Sequence, residues 1–189
     1  MTDLRQLTLE HHEQAERQKF VKVLLSGNIH PEFYATYLWN QYKKYNLLEA
    51  LADNHNLFED IPEVKQKNSI LKDFQELWPH SDNPPMLSSV HDYHNHIINI
   101  MSHPESLMAH IYVLHSGDLS GGQMIAKKVP GEGRMYQFDG NKQDLKARIK
   151  NKTTDAMAAE ARVCFEFATA MFQDLMILNV NHYLDVKDH

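Results

Sequence analysis

Apolar side chains recur at three- and four-residue spacing along nearly the whole chain, and two-residue alternation is almost absent. That period belongs to helices packed on one face. Leu4, Leu7 and the run to Ala15 open an amphipathic helix, with Thr2 or Asp3 as N-cap. The pattern continues through Phe20, Val21, Leu24 and Leu25, and Ser26-Gly27-Asn28 stops it, with Gly27 as C-cap. Pro31 suits the first turn of a second helix reaching about Asn54, with Phe33, Tyr37, Leu38, Tyr45, Leu48 and Leu51 on its broad apolar face. A third helix opens at Asp60-Ile61-Pro62-Glu63 and closes near Leu77-Trp78-Pro79, before a loop over His80 to Pro85. A fourth spans Leu87 to Met101. A fifth starts at Pro104 and runs into a glycine cluster, with Lys128 as its furthest end. Pro130-Gly131-Glu132-Gly133 breaks the chain, and Arg134 to Gly140 is irregular, with room for one short extended piece. Gln143 to Lys152 is a short helix. Thr154 or Asp155 caps a long last one reaching about Tyr183, with Met157, Ala161, Cys164, Phe165, Ala168, Met171, Phe172 and Leu175 at helical spacing. The fold class is therefore all-α: one domain over residues 1–189, a bundle of about seven helices.

One stretch breaks the rules of that pattern. Gly117-Asp118-Leu119-Ser120-Gly121-Gly122-Gln123 holds three of the chain's seven glycines, between flanks that read as helix. Three helical glycines cost about 3 kcal/mol relative to alanine. Either a flat ligand presses on bare backbone there, or the stretch is a turn between two helices. Leu119 to Gln123 also spells the signature loop of ATP-binding-cassette ATPases. Those proteins need a phosphate-cradling Gly-x-x-x-x-Gly-Lys-Ser/Thr loop after a strand, and this chain has none.

Composition narrows the function classes. The 189 residues are 42% hydrophobic and 23% charged, with a formal charge of −6. Those fractions lie in the globular range. Bulk attraction to nucleic acid or to an anionic membrane is not expected of such a charge. Cys164 is the only cysteine, so no internal disulfide and no cysteine-based zinc site can form, and a reducing, cytoplasmic setting is expected. The N-terminus lacks a signal-peptide run. No stretch stays apolar for the length of a membrane span, about 18 residues. The chain ends at His189 without a hydrophobic tail, so no membrane anchor is expected.

Thirteen histidines raise the prospect of a metal or heme ligand. His12 and Glu16 lie four apart on one helix face, and a neutral imidazole is a common iron ligand. On spacing alone the pair reads more readily as a surface histidine beside a salt-bridging glutamate. In His91-Asp92-Tyr93-His94-Asn95-His96, His91 and His94 share a face that His96 does not; no carboxylate pair lies near, and the segment reads as a solvated polar face. Lys146 and Lys150 share a face suited to paired carboxylates, with Arg5 and Arg148 as further basic groups, although basic helices are commonly just solvated. Phe165 and Phe172 fit a core, and Tyr112, five residues before the glycines, fits simple packing.

Taken together these segments resemble heme oxygenase. The similarity rests on His12-Glu13-Gln14-Ala15-Glu16 inside Leu4…Phe20, which is similar to the family's proximal-histidine helix, and on Gly117 to Gln123, which matches the distal-helix signature at all seven positions. A weaker likeness covers Lys146 to Lys150 and Glu160 to Leu175. The resemblance implies a heme sandwiched between proximal and distal helices, with His12 as the axial iron ligand and Glu16 orienting the hydrogen bonds around it. It implies that Gly117, Gly121 and Gly122 let the distal helix approach the porphyrin, and that Asp118 relays a proton through water so that dioxygen attacks the ring's own meso carbon. Arg5, Tyr112, Lys146 and Lys150 would hold the propionates and Phe165 would line the wall. Lys150 stands where an arginine is usual, a point charge in place of a bidentate fork, and Leu9 stands where a second lysine is common. Implied too are heme as substrate and cofactor, its iron, dioxygen, and electrons from a ferredoxin or a flavoprotein reductase docking on Lys22, Lys43, Lys44, Lys127 and Lys128. The rival expectations are a heme carrier on the same fold, a di-iron oxidase, and a cysteine hydrolase using Cys164.

Overall fold

Long helix α4 (Pro31–Asp53) runs through the middle of the bundle, and a computed structural model of the chain describes residues 3–182 around it. Thr2, Tyr183 and the His189 terminus lie outside the described residues. Pro31 occupies the first turn, where its missing N–H costs nothing. His30 Nδ1 accepts there from the Glu32 N–H at 3.2 Å. Thirteen of the helix's residues are buried, including Tyr34, Tyr37, Leu38, Tyr45 and Leu48, so it has core on nearly every side.

Before α4, the single N-terminal helix read from periodicity is instead three pieces: α1 (Leu4–Leu7), α2 (Leu9–Glu16) and α3 (Lys19–Leu25). Asp3 caps the first, its Oδ1 accepting from Arg5 N at 2.8 Å. At Thr8 the hydroxyl donates back to the Leu4 carbonyl at 2.8 Å, and Gln18 is extended. A hydroxyl bonded in this way competes with the backbone ladder. The apolar period survives both breaks because each piece still seats its apolar face on the same neighbours. Phe20 lies within 5.1–5.6 Å, centroid to centroid, of Tyr37, Phe33 and Phe172. Gly27 closes α3 at φ +77°. A Cβ is penalised in that conformation.

A 3-10 turn (Pro62–Val64) precedes α5 (Lys67–Leu77), and α6 (Ser88–Asn99) follows the loop. Then come α7 (Pro104–Ser120), α8 (Gly122–Ala126), α9 (Lys142–Asn151) and, after a 3-10 turn (Asp155–Met157), α10 (Ala158–His182). Among the described residues there is no strand: the extended piece allowed for between Arg134 and Gly140 is a 3-10 turn (Arg134–Tyr136) entered through Gly133 at φ +64°. Helix α4 packs on α5, α6 and α7, while α10 packs on α2, α3, α6 and α7. Helices α2 and α7 thus both lean on α10, and they make little contact with each other.

No helix among the described residues is long and apolar enough to cross a membrane.

Candidate functional site

The glycine cluster is helix, not turn. Gly121 keeps right-handed helical angles (φ −69°, ψ −26°), its N–H bonds the Gly117 carbonyl at 3.0 Å, and α8 continues where α7 pauses. Gly117 and Gly121 are four apart, so they share one exposed face. A Cβ at Gly117 would meet nothing within 4 Å, and one at Gly121 would meet only the Gly117 carbonyl. Among the described residues nothing demands glycine at either position. Gly122 differs. It is buried, and a Cβ there would run into the ring of Tyr136. The buried Asp73 carboxylate fixes that ring's loop, accepting from Arg134 N at 3.0 Å and Met135 N at 2.8 Å. The bare α-carbon at 122 thus answers to Tyr136 within the protein itself.

Asp118 turns the other way from Gly117, into the core, at 8% exposure. Its Oδ2 accepts from the Tyr45 hydroxyl at 2.6 Å. Burial pushes its pKa up to about 7, against the opposing pull of the Tyr45 hydrogen bond and of His115 and Lys44. A carboxyl poised there exchanges its proton near neutral pH. Next to it, His115 Nε2 lies 3.1 Å from Glu49 Oε1, and that carboxylate also accepts from Gln66 N at 2.6 Å at the start of α5. Tyr45, His115 and Glu49 form the setting of Asp118, and none of them stands out in the chain as a site residue.

On the opposite element, His12 sits mid-α2 with its side chain 39% exposed and its Nε2 2.9 Å from Glu16. The Phe165 ring on α10 lies 5.5 Å from the imidazole. At one end, Lys150 is 3.2 Å from Asp3, and Tyr112 has its pKa raised by burial, by Asp3 less strongly, with Arg5 opposing. Lys150 and the backbone N–H of Arg5, remote in sequence, thus meet at the Asp3 carboxylate. Lys146 lies one turn before Lys150 on α9 and is partly exposed.

Two expectations change, and one rival falls. Lys44 is 1% exposed, with its ammonium 4.9 Å from the Tyr93 ring centroid, so it belongs to no docking surface. His96 is partly buried and directed to Glu160 and His110. Cys164 is fully buried, and burial pushes its thiol up to about 12, which leaves no nucleophile for a cysteine hydrolase.

Residues 1–174 match the heme oxygenase family. The chain belongs to that family. Heme oxygenase 2 of Oryctolagus cuniculus is 32% identical over 209 residues, covering 93% of this chain and 67% of that protein. For heme oxygenase 2 of Macaca fascicularis the figures are 31%, 93% and 66%, so the chain spans about two thirds of the length of these relatives. The heme oxygenase of Porphyra purpurea is 29% identical over 92% of this chain and 85% of its own. Among solved structures, heme oxygenase-1 from Synechocystis sp. PCC6803 in complex with heme superimposes with a TM-score of 0.84 at 24% identity, over 94% of this chain and 92% of that one. Heme oxygenase-2 from the same organism, in complex with heme and NO, does so at 0.78 with 26% identity, over 95% and 86%. The helical bundle built around α4 and α10 is thus a heme oxygenase fold.

Proposed function

We propose that this protein acts as its family does: it opens the porphyrin of heme to biliverdin, carbon monoxide and ferrous iron, consuming dioxygen and electrons from a separate donor. In this reading α2 is the proximal helix and α7 with α8 the distal one. The observation that carries it is Asp118. A non-catalytic heme carrier has no use for a buried carboxyl with its pKa raised to about 7 directly behind a glycine-faced helix.

When bound, heme supplies the iron at which dioxygen is activated. His12 would offer that iron an imidazole nitrogen, and Glu16, 2.9 Å from His12 Nε2 here, would orient the hydrogen bonds around it. Phe165 walls the imidazole side. Gly117 and Gly121 would let the porphyrin approach bare helix, where a side chain at either would take up open space. Asp118 keeps Oδ2 on Tyr45, so Oδ1 is the atom that would carry a proton and pass it through water toward the ligand face. Arg5, Tyr112, Lys146 and Lys150 would receive the propionates, and Asp3, paired with Lys150, is the carboxylate that one of them would displace. Gly122 supports this arrangement from behind, through Tyr136.

The electron donor is an acidic ferredoxin or flavoprotein reductase, and Lys22, Lys127 and Lys128 are exposed cations that fit it. Charge reversal at Lys127 and Lys128 should slow donor-dependent turnover, and an unchanged rate rejects that surface. A reducing, cytoplasmic setting agrees with the lone buried thiol.

Hemin titration tests the binding half. The protein should take up one hemin with a histidine-ligated spectrum that His12→Ala loses. An identical spectrum in that variant rejects His12.

A further inference from the structure

We propose that His96, His110 and Glu160 form a binding site for a divalent first-row transition-metal ion of the Zn2+ type, separate from the heme iron site. The three residues come from three helices, α6, α7 and α10, and one ligand atom from each lies within 4.8 Å of the others. Two imidazoles with one carboxylate, and no thiolate, make a set that takes zinc with a fourth position left open. In the present arrangement both imidazoles converge on the same oxygen: His96 Nε2 is 2.5 Å and His110 Nε2 2.7 Å from Glu160 Oε1.

Burial divides the roles within the cluster. His110 is fully buried, and its side chain is held from behind: Tyr93 Oη lies 3.0 Å from His110 Nδ1. A metal-ligating histidine needs its second nitrogen oriented this way, and a hydroxyl can accept from Nδ1–H once Nε2 is given to the ion. The side chains of His96 and Glu160 are 26% and 20% exposed. They form a rim through which an ion can enter and at which water can complete its shell. Bonds of roughly 2.0–2.1 Å in a tetrahedron put ligand atoms roughly 3.3 Å apart, so Glu160 has to withdraw by less than about 1 Å and the His96 imidazole has to close on His110 by up to about 1.5 Å. A partly exposed side chain can do that by rotation. Lys44, with its ammonium 4.9 Å from the Tyr93 ring centroid, is the nearby cation that opposes the ion.

The test is isothermal titration of the chelator-treated full chain with Zn2+, together with Co2+ absorption, on wild type and on His96→Gln, Glu160→Gln, Tyr93→Phe and His12→Ala. Circular dichroism and thermal melting check that each variant is folded. Wild type should bind one Zn2+ per chain, and Co2+ should give the strong visible bands of four-coordination. His96→Gln and Glu160→Gln should weaken Zn2+ binding at least tenfold, and Tyr93→Phe about 10- to 100-fold. His12→Ala should leave it intact. Absence of saturable one-per-chain binding, or binding equal in wild type, His96→Gln and Glu160→Gln, overturns the proposal. Loss in His12→Ala alone does the same, by assigning the ion to the proximal histidine.

Discussion

The hydroxyl of Tyr45 donates to Oδ2 of Asp118 at 2.6 Å, joining the central helix to the glycine-faced helix across 73 positions of sequence. Burial raises the proton affinity of Asp118 and this hydrogen bond restrains it. Tyr45→Phe removes the restraint and should raise the Asp118 pKa by about one unit. An acid works while protonated, so the alkaline limb of the pH profile for heme degradation should move to higher pH by that amount. A limb that stays where it was separates Asp118 from the proton step.

The raised pKa also predicts a stability effect with a definite sign. The folded-state value is about 7 and the ordinary value 3.8. Below about pH 4 both states hold the proton and nothing is gained or lost. Between about 4 and 7 the unfolded chain ionises while the folded one does not, so the contribution of Asp118 declines as pH rises and is fully unfavourable above 7. The ceiling is about 4 kcal/mol for roughly three units, with about 2 kcal/mol a realistic share after relaxation. Asp118→Asn should therefore melt higher than wild type at pH 8, with the difference closing toward pH 4, while degrading little heme. Equal melting at pH 8 contradicts the burial argument.

The three glycines should separate by substitution. Gly117→Ala places a methyl in open space and removes a helix-interior glycine. The protein without heme should gain up to about 1 kcal/mol while hemin binds more weakly. Gly121→Leu should likewise hinder heme or oxygen binding more than it destabilises the fold. Gly122→Ala forces the buried Tyr136 ring to shift. That should cost about 1–3 kcal/mol of stability. Thermal melts alongside hemin titrations distinguish the two behaviours, and a uniform response across the three positions would sink the assignment.

The propionate end makes a prediction about charge. Asp3 and Lys150 form an exposed pair. Such pairs are worth about 0.2–1 kcal/mol. Asp3→Asn releases Lys150 and should tighten hemin binding by up to about fivefold. Lys150→Ala should weaken it comparably and broaden the mixture of biliverdin isomers, because fewer anchors fix the heme's rotation. Chromatography of the products reads the second effect, and one unchanged isomer contradicts it.

What was legible along the chain was local. His12 and Glu16, Gly117 and Gly121, and Lys146 and Lys150 are each four apart on a helix, and a helix converts that spacing into a shared face without help. The family likeness rests on such segments, and their all-α setting follows from one dominant period. What was hidden depends on distant partners. Tyr45 looks like any core aromatic until Asp118 is packed beside it. The clash that requires glycine at 122 exists only because Asp73 pins the loop carrying Tyr136. His96 lies off the face shared by His91 and His94, and its carboxylate is 64 residues away. Lys44 falls next to an exposed-looking lysine, yet α4 is buried on so many sides that its ammonium lies over the Tyr93 ring. The breaks at Thr8 and Gln18 carry no glycine or proline, so periodicity passes straight through them.

Whether Asp118 directs ring opening is decided by product analysis of a single turnover: one equivalent of hemin, dioxygen and a reductant, with wild type and Asp118→Ala side by side. Wild type should lose the heme spectrum and form biliverdin with carbon monoxide. Asp118→Ala should bind heme normally but divert it to peroxidase-like oxidation with little biliverdin. Hemin that wild type binds and never degrades, or a normal biliverdin yield from Asp118→Ala, would contradict that role.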